Sequence, residues 1–478
     1  MAIVTSKFRV AAASGFATRF AIDSIYMVLG RPQSWDNALS TNFALQSGQT
    51  TSDTAPPTPA DNYVNEHNLW RDAMAAVRVN QGDVRLCTVR HNWISGTRYD
   101  MYRPDINAIQ STATGKFNLS EGNMIVYVTS NSSVYKCLYN GANATFTTGI
   151  VSTVAPTSTS FTPQTTADGY IWKFMYTITA GDADFITANY IPVPTNTSSI
   201  SNRLGLDVIL VTNGGNYSSN PTVIIYGDGT SAAAVAVSSA GAITGVTITE
   251  PGSGYTWAKI VFSATTVNAN ASAIAIIAPS GGHGSNLASE CNAHNVMIVG
   301  SAQAYQGSDI PVNQDFRTVA LVKNPVVYQT SSAAFTTTVV SVADTARIAR
   351  TLVMTSSATT APANDIVLSN TTGASVLAVF QSATTTRLQF IQPLATDTSV
   401  INSVELSRID SSTTRRLKTF ANGDIISGIG GYSQAISSVT SVSPELQHYS
   451  GELLYLDYRA PVTRNLNQNE KINIVVNF

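Results

Sequence analysis

Apolar and polar positions alternate with a period of two over many short stretches of this 478-residue chain, the pattern of half-buried β-strands. In "DGYIWKFMYTIT", Tyr170, Trp172, Phe174 and Tyr176 alternate with Ile171, Lys173, Met175 and Thr177. The aromatic set predicts a buried sandwich face. "NMIVYVTSNSSVYKCLYN" predicts two strands around a turn at Ser130 to Ser133. "SIYMVLGRP" reads as a strand stopped by Gly30 and Pro32, and "FRTVALVKNPVVY" as one ending near Pro325. "GGNYSSNPTVIIYG" and "GSGYTWAKIVFSA" look like two copies of one unit, with Tyr217 and Tyr255 at matching places. Helical spacing is rarer. It predicts a short helix from about Lys7 to Thr18, and an amphipathic helix through "NEHNLWRDAMAAVRV" on Leu69, Ala73, Ala76 and Val77.

These shifts of pattern divide the chain. Residues 1–105, 280–330 and 443–478 predict one mixed α/β frame built from both chain ends. Residues 106–200 predict an inserted antiparallel β-sandwich, 205–279 a Gly/Tyr-rich all-β insert, and 331–442 a Ser/Thr-rich β insert with "DIVLSN", "SVLAVFQS" and "RLQFIQP" as strands. The fold class expected is therefore a multidomain, β-rich α+β protein. "SGQTTSDTAPPTPAD" and "RHNWISGTRYDMYRP" read as loops.

Composition supports the strand reading. Charged residues are only 12% of the chain while hydrophobic ones reach 44%, so Ser, Thr, Asn and Gly fill the surface and the turns. A net charge of -2 supplies no basic stripe for nucleic acid. No apolar run is long enough for a membrane span, and the start lacks the apolar core of a signal peptide. Cys87, Cys137 and Cys291 are odd in number and far apart, which argues for a reducing compartment.

Candidate chemistry is sparse. In the ending "HYSGELLYLDYRAPVTRNLNQNEKINIVVNF", a regular strand would send Glu452 and Asp457 to opposite faces, and Asp457 and Arg459 to one face as an ion pair. The ending predicts a hairpin with Ile472, Ile474, Val476 and Phe478 on one apolar face and its last residue buried, pinning the C-terminus beside the N-terminus. Cys291, His294 and His283 lack the second ligand pair of a structural zinc site, and His67, His91 and His448 are isolated. No nucleophile elbow or phosphate loop occurs, so no catalytic residue, cofactor or metal is expected. Trp93, Arg98 and Tyr99 form a loop of aromatics and arginine, suited to an interface.

Four segments in order carry a resemblance: "AIVTSKFR" at Ala2 to Arg9, "LWRDAMAAVRV" with "RHNWISGTRY", "FRTVALVKNP" at Phe316 to Pro325, and "HYSGELLYLDYRAPV" with "NQNEKINIVVNF". With "DGYIW" and "YIPVP" they resemble the baseplate wedge protein made by gene eight of T-even-like contractile-tailed bacteriophages (myoviruses), in a cyanophage or marine-phage version with extra β modules. The likeness covers roughly the first 195 residues and two later patches. Residues 205–279 resemble a Gly-Tyr-rich module of virion proteins from cyanobacterial and marine phages.

The resemblance implies a structural homodimer in the tail baseplate of the virion, assembled in the host bacterial cytoplasm. It implies contacts with other wedge proteins, a role in rearrangement on sheath contraction, and no catalytic residues. It implies neither nucleic-acid binding nor membrane insertion. The β inserts keep a second expectation open, a host-facing adhesin or glycan-binding tail component that uses them for host-surface contact. A virion hydrolase has only the abundance of serines in its favour.

Overall fold

A computed structural model describes residues 4–32, 34–35, 52–103, 116–117, 123–142, 148–194, 205–264, 267–279, 282–303, 310–312, 314–328, 339–354, 367–369, 375–381, 387–391, 400–401, 404–405, 421–428, 433–438, 444–465 and 467–478. Most of the predicted Ser/Thr-rich insert and part of the loop at 47–61 lie outside the described residues. The protein is multidomain, β-rich α+β, with several antiparallel sheets and few helices. It divides into two compact units, which cut across the sequence-based boundaries. One comprises residues 1–17, 85–297 and 475–478, the other 18–84 and 298–474.

The second of these units is organised by a five-stranded sheet. Its order is Thr345–Arg347, Ala73–Val79, Ile25–Gly30, Gln314–Lys323 and Glu452–Arg464. Tyr26, Val28, Trp70, Ala320 and Ile348 form its core, all nearly inaccessible. Here the predicted amphipathic helix is corrected. The helix runs only over Tyr63–Asp72, capped by Asn62, whose side chain accepts from Asn65 N at 2.9 Å. Ala73 then turns extended and opens a strand paired antiparallel with Ile25–Gly30. The strand lies inside the sheet and is buried on both faces. "AMAAV" therefore shows no alternation, and small apolar residues fit either period. Asp72 marks the switch. Its buried carboxylate meets Arg31 at 2.9 Å.

Two features of the chain ending also differ from expectation. Val322 faces Leu453 but Leu321 faces Tyr455, so Leu454 is an extra residue in a β-bulge. The bulge puts Glu452 and Asp457 on the same side, overturning their predicted separation. They stand opposite Lys323 and Val319, about 13 Å apart along the partner strand. Each has its own cation: Glu452 meets Lys323 at 2.7 Å, and Asp457 meets Arg459 at 3.0 Å, as predicted. The predicted closing hairpin does not form. Glu470–Asn477 joins a different sheet, beside Asn295–Ala302. Arg464 makes that turn possible, since its buried guanidinium binds Glu470 and donates to the carbonyls of Ala302 (3.1 Å) and Gln303 (2.7 Å). Ile472 and Ile474 are buried, but Phe478 is only half-buried.

The other unit holds the predicted sandwich strands. Ile125–Val128, Ser133–Tyr139, Ile171–Thr177 and Gln164–Thr165 form a four-stranded antiparallel sheet in that order. Tyr170, Trp172 and Phe174 are buried as predicted, with Tyr99, Tyr135 and Cys137. Lys173 and Met175, assigned to the opposite face, are buried too. Helix Ser6–Arg19 begins in this unit and Phe478 ends in it, the rings of Phe16 and Phe478 being 5.4 Å apart.

The Gly/Tyr-rich module follows, eight strands from Leu206–Asn213 to Ser272–Ile277. Gly215 and Gly252 both have positive φ, 63° and 68°. A Cβ on either would lie within 2.8 Å of an opposing strand's backbone, and within 2.8 Å of a tyrosine ring, Tyr217 or Tyr255. Only glycine satisfies both demands. The halves interlock: Leu206–Asn213 pairs with Ser272–Ile277, and Thr230–Ser239 with Ala242–Ser253.

Candidate functional site

The loop predicted as an interface is laid along the edge of the sandwich sheet. Trp93 N donates to Tyr127 O at 2.9 Å, and Gly96 N to Ser152 O at 2.7 Å. Trp93 is half-buried, its indole donating to Ser152 Oγ at 3.1 Å. Ser152 in turn donates to Asp168, which also accepts from Thr153 N at 2.7 Å and Val154 N at 2.9 Å. Burial alone would raise the Asp168 carboxyl, but these hydrogen bonds and that of Thr166 hold it below the ordinary carboxylate value.

Tyr99 is removed from the interface set. It is 1% exposed, with its ring edge-on to Trp172 at 5.6 Å and its hydroxyl accepting from Ile94 N at 2.5 Å. A residue so placed shapes the core and meets no partner. Arg98 is exposed, donating to Thr148 Oγ1 at 3.0 Å. Three residues not singled out from sequence complete the surface: Ile94, Val151 and Val154, which are 60%, 46% and 38% exposed. The result is an apolar rim with one arginine, held on a hydrogen-bonded, aromatic-backed base. Such surfaces suit protein contact, where aromatics and arginine anchor and neighbouring apolar groups exclude water.

Beneath the same sheet lies a feature that sequence reading missed. Lys136 and Lys173 are direct cross-strand partners, and both are buried. Like charges opposite one another repel, and buried ones need counter-charges. Lys136 donates to Glu290 Oε1 at 2.9 Å and sits 3.7 Å over the ring of Tyr102. Lys173 donates to Asp207 Oδ1 at 3.0 Å. His283 bridges the two acids, with Nε2 2.7 Å from Asp207 Oδ2 and Nδ1 against Glu290 Oε1. Gly284 N donates to Glu290 Oε2 at 2.8 Å. Burial alone would raise both carboxyls. His283 and Lys173 more than reverse this for Asp207, and Lys136 and His283 for Glu290, so both are held below their ordinary values. Burial alone would lower His283, but Asp207 and Glu290 raise it.

This cluster is an electrostatic clasp. Asp207 belongs to the Gly/Tyr-rich module, the lysines to the sandwich sheet, and His283 and Glu290 to the segment that follows the module. A cleft of about 590 Å³ adjoins it, lined by Lys7, Ser14, Tyr102, Lys136, Tyr255 and Glu290 among others. Lys136 and Glu290 neutralise each other in its wall.

His294 and Cys291 do not join His283. Cys291 is fully buried and its carbonyl accepts from Thr88 Oγ1 at 2.7 Å. Among the described residues, no group of three or more His, Cys, Asp or Glu is arranged to hold a metal ion. No protein-family model matches this chain, and no curated protein matches it.

Proposed function

We propose that this chain is a structural subunit of a contractile-tail baseplate wedge: a homodimer, without catalytic activity, that contacts neighbouring wedge proteins and takes part in baseplate assembly and its rearrangement. It is built in the host bacterial cytoplasm and carried in the virion. The observation that carries this reading is the rim of Ile94, Val151 and Val154 with Trp93 and Arg98, apolar yet open and fixed on a rigid base. A rim of this kind supports subunit docking. The order of the segments that resemble the wedge family supports it independently.

Analytical ultracentrifugation of the purified chain tests the proposal, with a dimer expected at twice 50.6 kDa. A stable monomer, or a trimer of the fibre kind, would overturn it. Electron micrographs of virions carrying a labelled chain should place the label on the baseplate ring. Label at fibre tips would favour the adhesin reading.

A further inference from the structure

One corner of the Gly/Tyr-rich module displays two aromatic side chains to solvent, Tyr226 at 53% and Trp257 at 54% exposure. Tyr226 lies directly across the ladder from Lys259, and Trp257 precedes Lys259 by two residues. Strand alternation sets Tyr226 and Lys259 on the outer face, while Ile260 and Phe262 fill the inner one; Trp257 is exposed immediately before the strand begins at Ala258.

The corner is braced from two directions. The Asp228 carboxylate accepts from Thr256 N at 2.9 Å, from Trp257 N at 3.3 Å and from the Thr256 hydroxyl, tying the indole's backbone to the facing turn. Below, the buried Tyr255 ring fills the space left by Gly227, Gly229 and Gly252, where an added Cβ would come within 2.8, 2.3 and 2.8 Å of it. Groups fixed before a ligand arrives lose little freedom on binding it.

At the far end of the same ladder Thr222 lies opposite Ser263, so the pairing itself forms without exposed rings.

The surroundings restrict the ligand. Residues 205–279 contain four charged side chains, Asp207, Asp228, Glu250 and Lys259. Asp207 is buried in the clasp, and Asp228 is engaged by Thr256 and Trp257. Such a surface lacks the cations that phosphates or anionic lipids require. Rings beside a hydrogen-bond donor suit a ligand with apolar faces and hydroxyl edges. We propose that this corner binds a neutral oligosaccharide, stacked on Trp257 and Tyr226, with Lys259 donating to its hydroxyls. The site is independent of the wedge assignment and stands or falls separately.

The full-length protein, titrated calorimetrically with maltohexaose, cellohexaose and chitohexaose and screened on a printed array of neutral glycans, tests this. Saturable binding of at least one glycan is expected, weakened by about tenfold or more in Trp257→Ala and in Tyr226→Ala, the scale of a lost anchor. Ser263→Ala, at the far end of the ladder, should leave it unchanged, and circular dichroism should show all three variants folded. Binding of no neutral glycan, or binding indifferent to Trp257→Ala, would overturn the proposal. So would a change in sedimentation caused by Trp257→Ala, which would assign the corner to another copy of the chain.

Discussion

Lys136 Nζ lies 2.9 Å from Glu290 Oε1 although 154 residues separate them, and the two side chains are only 3% and 4% exposed. The contact neutralises one of two buried lysines that face each other across a ladder. Removing one partner of such a pair strands a charge. Glu290→Gln should therefore cost about 3–5 kcal/mol, far more than an exposed ion pair is worth. Urea midpoints of the unit's transition check this. A loss below about 1 kcal/mol would show that water reaches the cluster.

The same cluster predicts how stability follows pH. His283 is held above its ordinary 6.5 by Asp207 and Glu290, against the effect of burial. A raised value means the native state holds its proton more tightly. That contribution is whole below about pH 6.5 and fades as pH rises through the native value. Asp207 and Glu290 are held below their ordinary 3.8 and 4.5. Theirs is present above those values and fades as pH falls through the native ones. Stability from the clasp should peak between about pH 4.5 and 6.5. Denaturation midpoints measured across pH 3–9 should decline above neutrality in the native sequence, and the alkaline decline should shrink in His283→Gln.

The three cysteines should behave as core residues. All are free and buried. Burial pushes the Cys87 thiol up to about 12, and raises Cys137 and Cys291 as well. Thiols held protonated are poor nucleophiles. Ellman's reagent at pH 8 should label none of them in the folded protein and all three in guanidinium.

Trp93 and Tyr99 should separate by phenotype. Trp93→Ala, at the half-buried rim, should weaken the proposed dimer by about tenfold or more while leaving the fold intact, as loss of an interface anchor does. Tyr99→Phe leaves Ile94 N without its acceptor, which should cost about 1–3 kcal/mol of stability and spare the dimer. Sedimentation and thermal melts of both variants decide. Dissociation by Tyr99→Phe and unfolding by Trp93→Ala would reverse the assignment.

The chain ending should be indispensable, though not as a hairpin. Deleting residues 473–478 removes buried Ile474 and the Phe478 contact with Phe16. Loss of a large buried aliphatic alone costs about 2–5 kcal/mol. The truncated chain should lose its near-ultraviolet dichroism and its solubility, and a cooperative melt would disprove this.

Much of the β architecture was legible because alternation, turns and glycines are local signals. The aromatic run at Tyr170 to Tyr176 is legible from its period alone. Failures came where a long-range partner decided. "AMAAV" became a strand because Ile25–Gly30 flanks it, and Glu452 changed sides because a bulge depends on the facing strand. The last strand left its predicted hairpin for another sheet. The charge clasp was hidden by the distance between its members. Its one local trace was a lysine centred in each of "VYKCLY" and "IWKFMY", an unusual residue between apolar neighbours. Ile94, Val151 and Val154 gave no signal, since exposed aliphatics come to notice only when loops gather them.

The module's first and last strands face each other, with Leu206 opposite Ile277. Its entry and exit are thus separated by one ladder spacing, about 5 Å. A host chain that accepts such a cassette, or loses it, need not alter the path of its own backbone. The attachment is nonetheless marked by Asp207, one residue past the entry, which enters the clasp with Lys173 and His283. Excising residues 206–277 would take that acid away and leave Lys173 buried without it.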